Sequence, residues 1–333
     1  MIDVVDYLPD PDLDAELAEL GYAAVHGWPD QRPVTPALVR SHLRPTGTTA
    51  TTLALHHQGG RLLAAAALRW PATLDATGRL WGPVVHPSAR RGGLGAALLS
   101  TVADIVAAHP GIRVTTDGIP ETRSCGWSLY ERAGWRGCGS SRLLRRALTN
   151  YAAVAFDAAP PTLAVRMIQP GEYLDQCLAA LASGARPDLG YATARDTYTR
   201  WTADERYTPN GLLLAKGPAG VLGAALVYPL THYGPGEPPE ALLADLLTAS
   251  HLDPAIAAEV RTALVDAALR AGVAMGAAVA RTVVDDPGLT ATLLAAGFEV
   301  ADHIRYYAPR GVEAVPAVAG TASTRDNLSV AAA

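Results

Sequence analysis

Two arginines and three glycines stand close together in the run Val84-Val85-His86-Pro87-Ser88-Ala89-Arg90-Arg91-Gly92-Gly93-Leu94-Gly95-Ala96, and their types and spacing suit the capture of a phosphorylated ligand. A helix N-terminus offers unpaired backbone N–H groups and the positive end of the helix dipole, so main chain alone can hold an anion there. Gly92, Gly93 and Gly95 remove the Cβ atoms that would keep a diphosphate away, and Arg90 and Arg91 add positive charge. The run reads as a pyrophosphate cradle. Turn chemistry alone is the plainer alternative for a glycine-rich junction between strand and helix. Two other nucleotide motifs fit badly, because no Lys-Ser or Lys-Thr pair follows the glycines as a P-loop requires and the spacing is not that of a dinucleotide fingerprint.

Such a cradle needs a strand before it and a helix after it. Leu80, Trp81, Val84 and Val85 fit the end of a buried strand. Leu94, Leu98, Leu99, Val102, Ile105 and Val106 recur at helical spacing. The pattern therefore predicts strand, loop and helix in that order. A further strand is expected at 112–116, followed by a helix carrying Ser128-Leu129-Tyr130-Glu131-Arg132-Ala133-Gly134-Trp135.

These two stretches, in this order, resemble the motifs of the GCN5-related N-acetyltransferases, the GNAT superfamily. The strand with Val85-His86-Pro87 and the Arg-x-x-Gly-x-Gly start of a helix is similar to that family's acyl-CoA-binding motif. The Leu129-Tyr130 to Gly134-Trp135 run is similar to its second motif, which usually ends Leu-Tyr-x-x-x-Gly-Phe. The resemblance implies that a splay beside the fourth strand exposes main chain at Val84 and Val85 to a pantetheine arm. It implies that Arg90, Arg91, Gly92, Gly93, Leu94, Gly95 and Ala96 surround the phosphates, with acetyl-CoA or another acyl-CoA as co-substrate and no metal. Tyr130 is then expected near the thioester sulfur as the group that protonates the departing thiolate. A phenol's reference pKa of about 10 lies about two units above a thiol's, so it can hydrogen-bond or protonate a developing thiolate. As a plain helix residue, Tyr130 would instead face the core. The chain departs from the family at Arg123, where many members carry Asn, and no role is assigned to it.

Amine acetylation needs a neutral nucleophile, so a base or a water chain must take a proton. The strand at 79–85 supplies no carboxylate. Asp117, with Glu121 close behind, falls at the end of the expected fifth strand, where the family's acceptor cleft opens, and is the candidate base. It is also a plausible turn former beside Gly118 and Pro120. His86 is more simply a strand-end residue. Trp28, in His26-Gly27-Trp28-Pro29-Asp30, falls in the loop region that shapes the acceptor site in this family, as a lid or as packing.

From Tyr151 onward the pattern of the first half returns. Strands at 212–215 and 221–227 flank Lys216-Gly217-Pro218 as those at 51–57 and 62–68 flank Gln58-Gly59-Gly60. A strand at 241–247, a helix at 255–269, a strand at 277–284 and a helix ending Leu294-Ala295-Ala296-Gly297-Phe298 complete the repeat. Helices are also expected at 173–181 and 193–201, after a strand at 162–168. The second copy lacks the chemistry: His251-Leu252-Asp253-Pro254-Ala255-Ile256 stands where the cradle would be, with Asp253 as an N-cap and Pro254 at the first helical position, and Leu293 stands for Tyr130. The expected fold class is α/β, a tandem GNAT (acyl-CoA N-acyltransferase) fold of two mixed-sheet units flanked by helices, like the tandem GNAT proteins of actinobacteria. The domains read as 1–150 with the intact motif, 151–310 degenerate, and a tail at 311–333 without order.

Composition bounds the rest. The 333 residues are too many for one such domain of about 150 residues. The formal net charge of −5 gives no basic face for nucleic acid, and Lys216 is the sole lysine. Cys125, Cys138 and Cys177 lack metal-ligand spacing and point to a reduced, cytoplasmic setting. No signal peptide and no membrane-spanning run is expected. The function expected is acetyl-CoA-dependent transfer to the amine of a small molecule or peptide, by direct attack in a ternary complex, in a monomer or homodimer. The competing readings are a non-catalytic acyl-CoA-binding sensor or scaffold and a GNAT-fold enzyme using another acyl-CoA.

Overall fold

Tight turns and capped helices divide the chain into short elements, which a computed structural model describes for residues 1–26, 34–44, 48–71, 77–149, 151, 164–167, 198, 201–202, 204, 206–218, 220–230, 238–249 and 251–311. Trp28, the helix expected at 173–181, most of the helix expected at 193–201, and the expected tail from 312 onward lie outside these residues, as does the side chain of Arg123.

Strand β1 (Asp3–Asp6) leads to helix α1 (Pro11–Val25), which starts where Asp10 accepts from the N–H groups of Asp12 and Leu13 and Pro11 sets the first helical φ. Helix α2 (Pro36–Leu43) starts in the same way, with Thr35 accepting from Leu38 N. Strands β2 (Thr48–Gln58) and β3 (Arg61–Pro71) form a hairpin about Gly59 and Gly60, both at positive φ. Strand β4 (Thr77–Val85), helix α3 (Leu94–Ala107), strand β5 (Arg113–Thr116), strand β6 (Ile119–Pro120), helix α4 (Ser124–Arg132) and strand β7 (Arg136–Ala147) follow. Next come β8 (Ala164–Met167), β9 (Leu212–Gly217), β10 (Gly220–Leu230), β11 (Glu240–Thr248), helix α5 (Pro254–Ala274), β12 (Val279–Val284), helix α6 (Pro287–Ala295) and β13 (Glu299–Ala308).

The chain divides into two compact units. Among the described residues the first holds 1–141 and 302–311, and the second holds the described residues of 142–301. In the first, the order β1-β2-β3-β4-β5 is antiparallel up to β4, and β4 pairs parallel with β5. That parallel pairing runs only from Thr77↔Arg113 to Leu80↔Thr116, so β4 continues to Val85 after β5 has parted from it. The parting is the expected splay. Helices α1 and α2 cover a core with Leu17, Leu20, Leu43, Leu53, Trp81 and Val84. Helices α3 and α4 cover another with Leu80, Val85, Leu98, Leu99, Val102 and Tyr130. Alternation along β4 sends Trp81 to the first core and Leu80 to the second, so the two cores lie on opposite faces of the sheet.

Strand β13, the last element of the chain, belongs to this first unit from Asp302 onward and lies between β6 and β7. Its register with β6 is Ile304↔Pro120 and Arg305↔Ile119. The sequence reading did not foresee this return.

The second unit repeats the order. β9 and β10 form an antiparallel hairpin, β10 pairs antiparallel with β11, and β11 pairs parallel with β12 over Glu240↔Val279 to Leu242↔Arg281. The ends of α4 and α6 are superimposable in their hydrogen bonding. Gly134 and Gly297 are both left-handed; Trp135 N donates to Tyr130 O at 2.9 Å as Phe298 N donates to Leu293 O at 3.0 Å. Leu293 thus occupies the place of Tyr130.

Candidate functional site

The cradle begins where β4 ends. His86 N donates to Leu63 O at 2.8 Å, and the His86 ring caps the short turn Pro87–Ala89 by accepting from Ser88 N at 3.2 Å. Its other nitrogen lies 3.1 Å from Arg61 Nη2. Burial, and then the Arg61 and Arg90 charges, hold its pKa below the usual histidine value. His86 shapes the loop. Arg90 turns inward, with Nε donating to Val85 O at 3.3 Å and Nη2 to Ala24 O at 2.7 Å. Arg91 takes a left-handed conformation, φ 64°, and is exposed. The structure therefore leaves Arg91 at the open loop and uses Arg90 to pin the loop to the end of α1.

Gly93 is the N-cap of α3, at φ 85°, and no side chain caps the helix. Ala97 N donates to Gly93 O at 3.0 Å, so the N–H groups of Leu94, Gly95 and Ala96 precede the first bond of the ladder. A Cβ on Gly93 would meet nothing within 4 Å. The space beside Gly93, at the start of the helix, is therefore open. Gly95 has a different reason: a Cβ there would lie 3.0 Å from Leu129 Cδ2, so glycine lets α3 approach α4. Helices α1, α2, α5 and α6 each carry a side-chain cap. In α5, at the place matching Gly93, Asp253 accepts from Ala255 N at 2.8 Å with Pro254 at the first helical position. A carboxylate of the chain itself caps this helix start, as the sequence reading expected of Asp253.

Val84 and Val85 lie in the splayed half of β4, each buried. Tyr130, 1% exposed in the last turn of α4, donates its hydroxyl to Gly82 O in the same half. Gly82 has φ 84°, and a Cβ would stand 2.9 Å from Ala65 O, so only glycine keeps this strand irregularity. The Tyr130 ring is stacked on Tyr307 of β13, with centroids 5.2 Å apart, and meets Trp135 edge-on at 5.5 Å. Burial first, and then the Asp117 charge, push the phenol pKa well above its ordinary value. Tyr130 is therefore held as an O–H donor.

Strand β13 braces the start of that helix and the end of β5. Asp302 accepts from Glu121 N at 3.0 Å and from Thr122 Oγ1 at 2.7 Å just before α4, and Tyr307 N donates to Thr116 Oγ1 at 2.9 Å.

Asp117 follows β5 at the point of parting, where its N–H donates to Leu80 O at 2.8 Å. Its carboxylate pairs with Arg69 Nη2 and lies 3.2 Å from His42 Nε2. Burial alone would raise its pKa, but the Arg69 guanidinium and the His42 hydrogen bond outweigh burial and bring it to about 2. A carboxylate held so low is a weak base and a strong fixed anion. His42 and Arg69 were missed by the sequence reading; the available signal was a histidine three residues after Val39, on the apolar stripe of α2.

The depressed pKa fixes a sign. Stability from ionised Asp117 is fully present above its unfolded value of 3.8 and is lost as pH falls toward about 2. Asp117→Asn is expected to lower the melting temperature at neutral pH and to flatten its fall between pH 4 and 2, read by thermal unfolding across that range.

Among the described residues no group of three or more His, Cys, Asp or Glu is arranged to hold a metal, and no helix is long and apolar enough to cross a membrane.

No protein-family model matches the chain. A mycothiol acetyltransferase of Kineococcus radiotolerans is 32% identical over 156 residues, 46% of this chain and 49% of that protein, so the match spans about half the relative's length. Among solved structures, a tandem GNAT protein from the clavulanic acid biosynthesis pathway has a TM-score of 0.68 at 19% identity, over 92% of this chain and 98% of its own. A GCN5-related N-acetyltransferase from Sphaerobacter thermophilus has a TM-score of 0.63 at 17% identity, over 92% and 95%. Saccharomyces cerevisiae N-myristoyltransferase with bound myristoyl-CoA has a TM-score of 0.62 at 12% identity, over 92% and 82%.

Proposed function

We propose, from the tandem GNAT fold that this chain adopts, that its first unit is an N-acyltransferase. Its co-substrate is acetyl-CoA and its acceptor the amine of a small molecule or peptide, joined by direct attack in a ternary complex. The observation that carries this reading is the convergence, on one splayed strand, of an uncapped glycine-opened helix and a buried tyrosine hydroxyl. The N–H groups of Gly93, Leu94, Gly95 and Ala96, together with Arg91 and Gly92, hold the pyrophosphate, and the edge of β4 at Val84 and Val85 guides the pantetheine. In this reading Arg90 holds the loop in place from behind. Tyr130 donates its proton to the thiolate as the C–S bond breaks, leaving Gly82 O to do so. Asp117 is the fixed negative charge at the mouth of the splay. The second unit, with Asp253 in the anion's place and Leu293 in the tyrosine's, is a degenerate copy that lends structure.

The test is calorimetry of the full chain with acetyl-CoA, then thiol release with glucosamine, glycine, spermidine and tryptamine as amines. One site per chain and amine-dependent thiol release are expected. Tyr130→Phe is expected to bind acetyl-CoA as tightly and to turn over about 10²-fold more slowly. Unchanged turnover would leave Tyr130 a packing residue. Stoichiometric binding without thiol release for any amine would favour the sensor reading.

A further inference from the structure

One side of β13 lies on the helix that carries Tyr130. Alternation puts Arg305 and Tyr307 on the same side of the strand, and Trp127 and Tyr130, three residues apart, share one face of α4. The two sets meet in order. The Arg305 guanidinium lies over the Trp127 ring, 4.0 Å from its centroid, and the Tyr307 ring lies on that of Tyr130, with 5.2 Å between centroids and 12° between planes. Glu131, next on the helix, accepts from the Tyr307 hydroxyl at 3.2 Å and stands 3.8 Å from Arg305 Nη1.

The other side of the strand presses on the chain just beyond β5. A Cβ on Gly118 would lie 2.5 Å from Ile304 Cγ2 and 3.2 Å from the Tyr306 ring, so the glycine lets β13 come this near. Tyr307 N–H then reaches Thr116 Oγ1 at 2.9 Å. Thr116 pairs with Leu80 in the last step of the β4–β5 ladder before the strands part. A single residue, 1% exposed, thus spans from the end of that ladder to the turn of helix that bears Tyr130.

We infer that Tyr307 is a positioning residue of the acyl transfer proposed above, on which this inference rests: its ring holds the Tyr130 hydroxyl against the splayed half of β4. A tyrosine ring swings about two bonds, and this one is bounded by Trp135 at an edge and by Tyr307 on a face. Its hydroxyl rests on Gly82 O, two residues past Leu80 along β4. With that face uncovered the ring can leave its place, and the proton meant for the departing sulfur then starts from the wrong position. A misplacement of about 1 Å can cost about 10²-fold in rate. Tyr307 acts only through Tyr130, so the loss it causes cannot exceed that of removing the Tyr130 hydroxyl.

The experiment uses the full chain, with Tyr307→Leu, Tyr307→Phe and Thr116→Val each made alone and again on Tyr130→Phe, after a check of cooperative melting. With the best amine of the four above, Tyr307→Leu is expected to lose about 10-fold in kcat, with the KM of the amine and the acetyl-CoA affinity unchanged. Tyr307→Phe keeps the ring and should recover most of that loss. On Tyr130→Phe the same Tyr307→Leu change should cost nothing further, because the proton it misplaces is already gone. A packing role alone would lower both backgrounds alike. Thr116→Val keeps the volume and removes only the oxygen that accepts from Tyr307 N–H, so a smaller loss of the same kind is read there even where Tyr307→Leu does not melt cooperatively. Full kcat in Tyr307→Leu, or in Thr116→Val where the first variant does not fold, overturns the inference and leaves the transferase reading standing. Equal losses with and without the Tyr130 hydroxyl overturn it too. If the unaltered chain releases no thiol with any amine, the transferase reading fails, and the positioning role of Tyr307 fails with it.

Discussion

A chain ended before Glu299 is expected to lose cooperative unfolding of its first unit and all binding of acetyl-CoA. Residues 1–150 alone should fail in the same way. Strand β13 lies between β6 and β7, so its removal leaves β6 without a ladder partner and β7 with β12 alone. Ile304, Tyr306 and Tyr307 are all buried. Burying each large apolar side chain contributes about 1.5–3 kcal/mol, and three of them together approach the whole stability of about 5–15 kcal/mol typical of a domain. Tyr130 loses its stacked ring and the turn before α4 loses Asp302. Near-ultraviolet circular dichroism and calorimetry on the shortened chain check this. A peptide of residues 299–311 added in trans should restore part of the signal. A cooperative transition and full acetyl-CoA affinity in the 1–150 fragment would show that β13 is dispensable.

The second large effect is expected at the cradle. The joint variant Gly93→Glu and Gly95→Glu should fold and lose acetyl-CoA binding by at least about 10²-fold, because the carboxylate at position 93 then stands where the phosphates must approach. A side chain at Gly93 is strained by the left-handed backbone, at a cost of about 1–2 kcal/mol. Acidic residues in a first turn interact favourably with the helix dipole, contributing about 0.3–1 kcal/mol each, which offsets much of that strain. The Cβ at position 95 presses only on the far end of the Leu129 side chain. Circular dichroism separates folding from binding. Stoichiometric binding of undiminished affinity in the joint variant would move the phosphate site elsewhere.

What was legible in the sequence was local. Gly59-Gly60 between two apolar runs fixed the first hairpin, the glycines after Val85 marked the start of α3, and Gly134 and Gly297 marked matching helix ends that made the duplication readable. Asp253 before Pro254 declared a cap. What escaped was set by register and by distance along the chain. Nothing in 299–308 names β6 and β7 as partners, since alternation identifies a strand but not its neighbours. Arg69 looks like a solvated strand end; only the alignment of β3, β4 and β5 brings it to Asp117. Arg90 looks like a phosphate ligand by position; that its guanidinium also donates to two main-chain carbonyls, one of them in α1, could not be read from the sequence. His42 could have been found as a polar residue on an apolar helix face, but its partner lies 75 residues away.

The return of β13 also sets an order in time. A ribosome adding about 5–20 residues each second needs on the order of ten to thirty seconds to pass from Ser141 to Asp302. Throughout that interval the earlier part of the chain holds β6 and β7 with a strand-wide gap between them and Tyr130 with one ring face uncovered. Of the described strands, β8 to β12 are already made while the first unit still waits for β13. The unit proposed to carry the chemistry is therefore the last to close, and the nascent chain carries an open strand slot that a chaperone can shield or a neighbouring chain can fill.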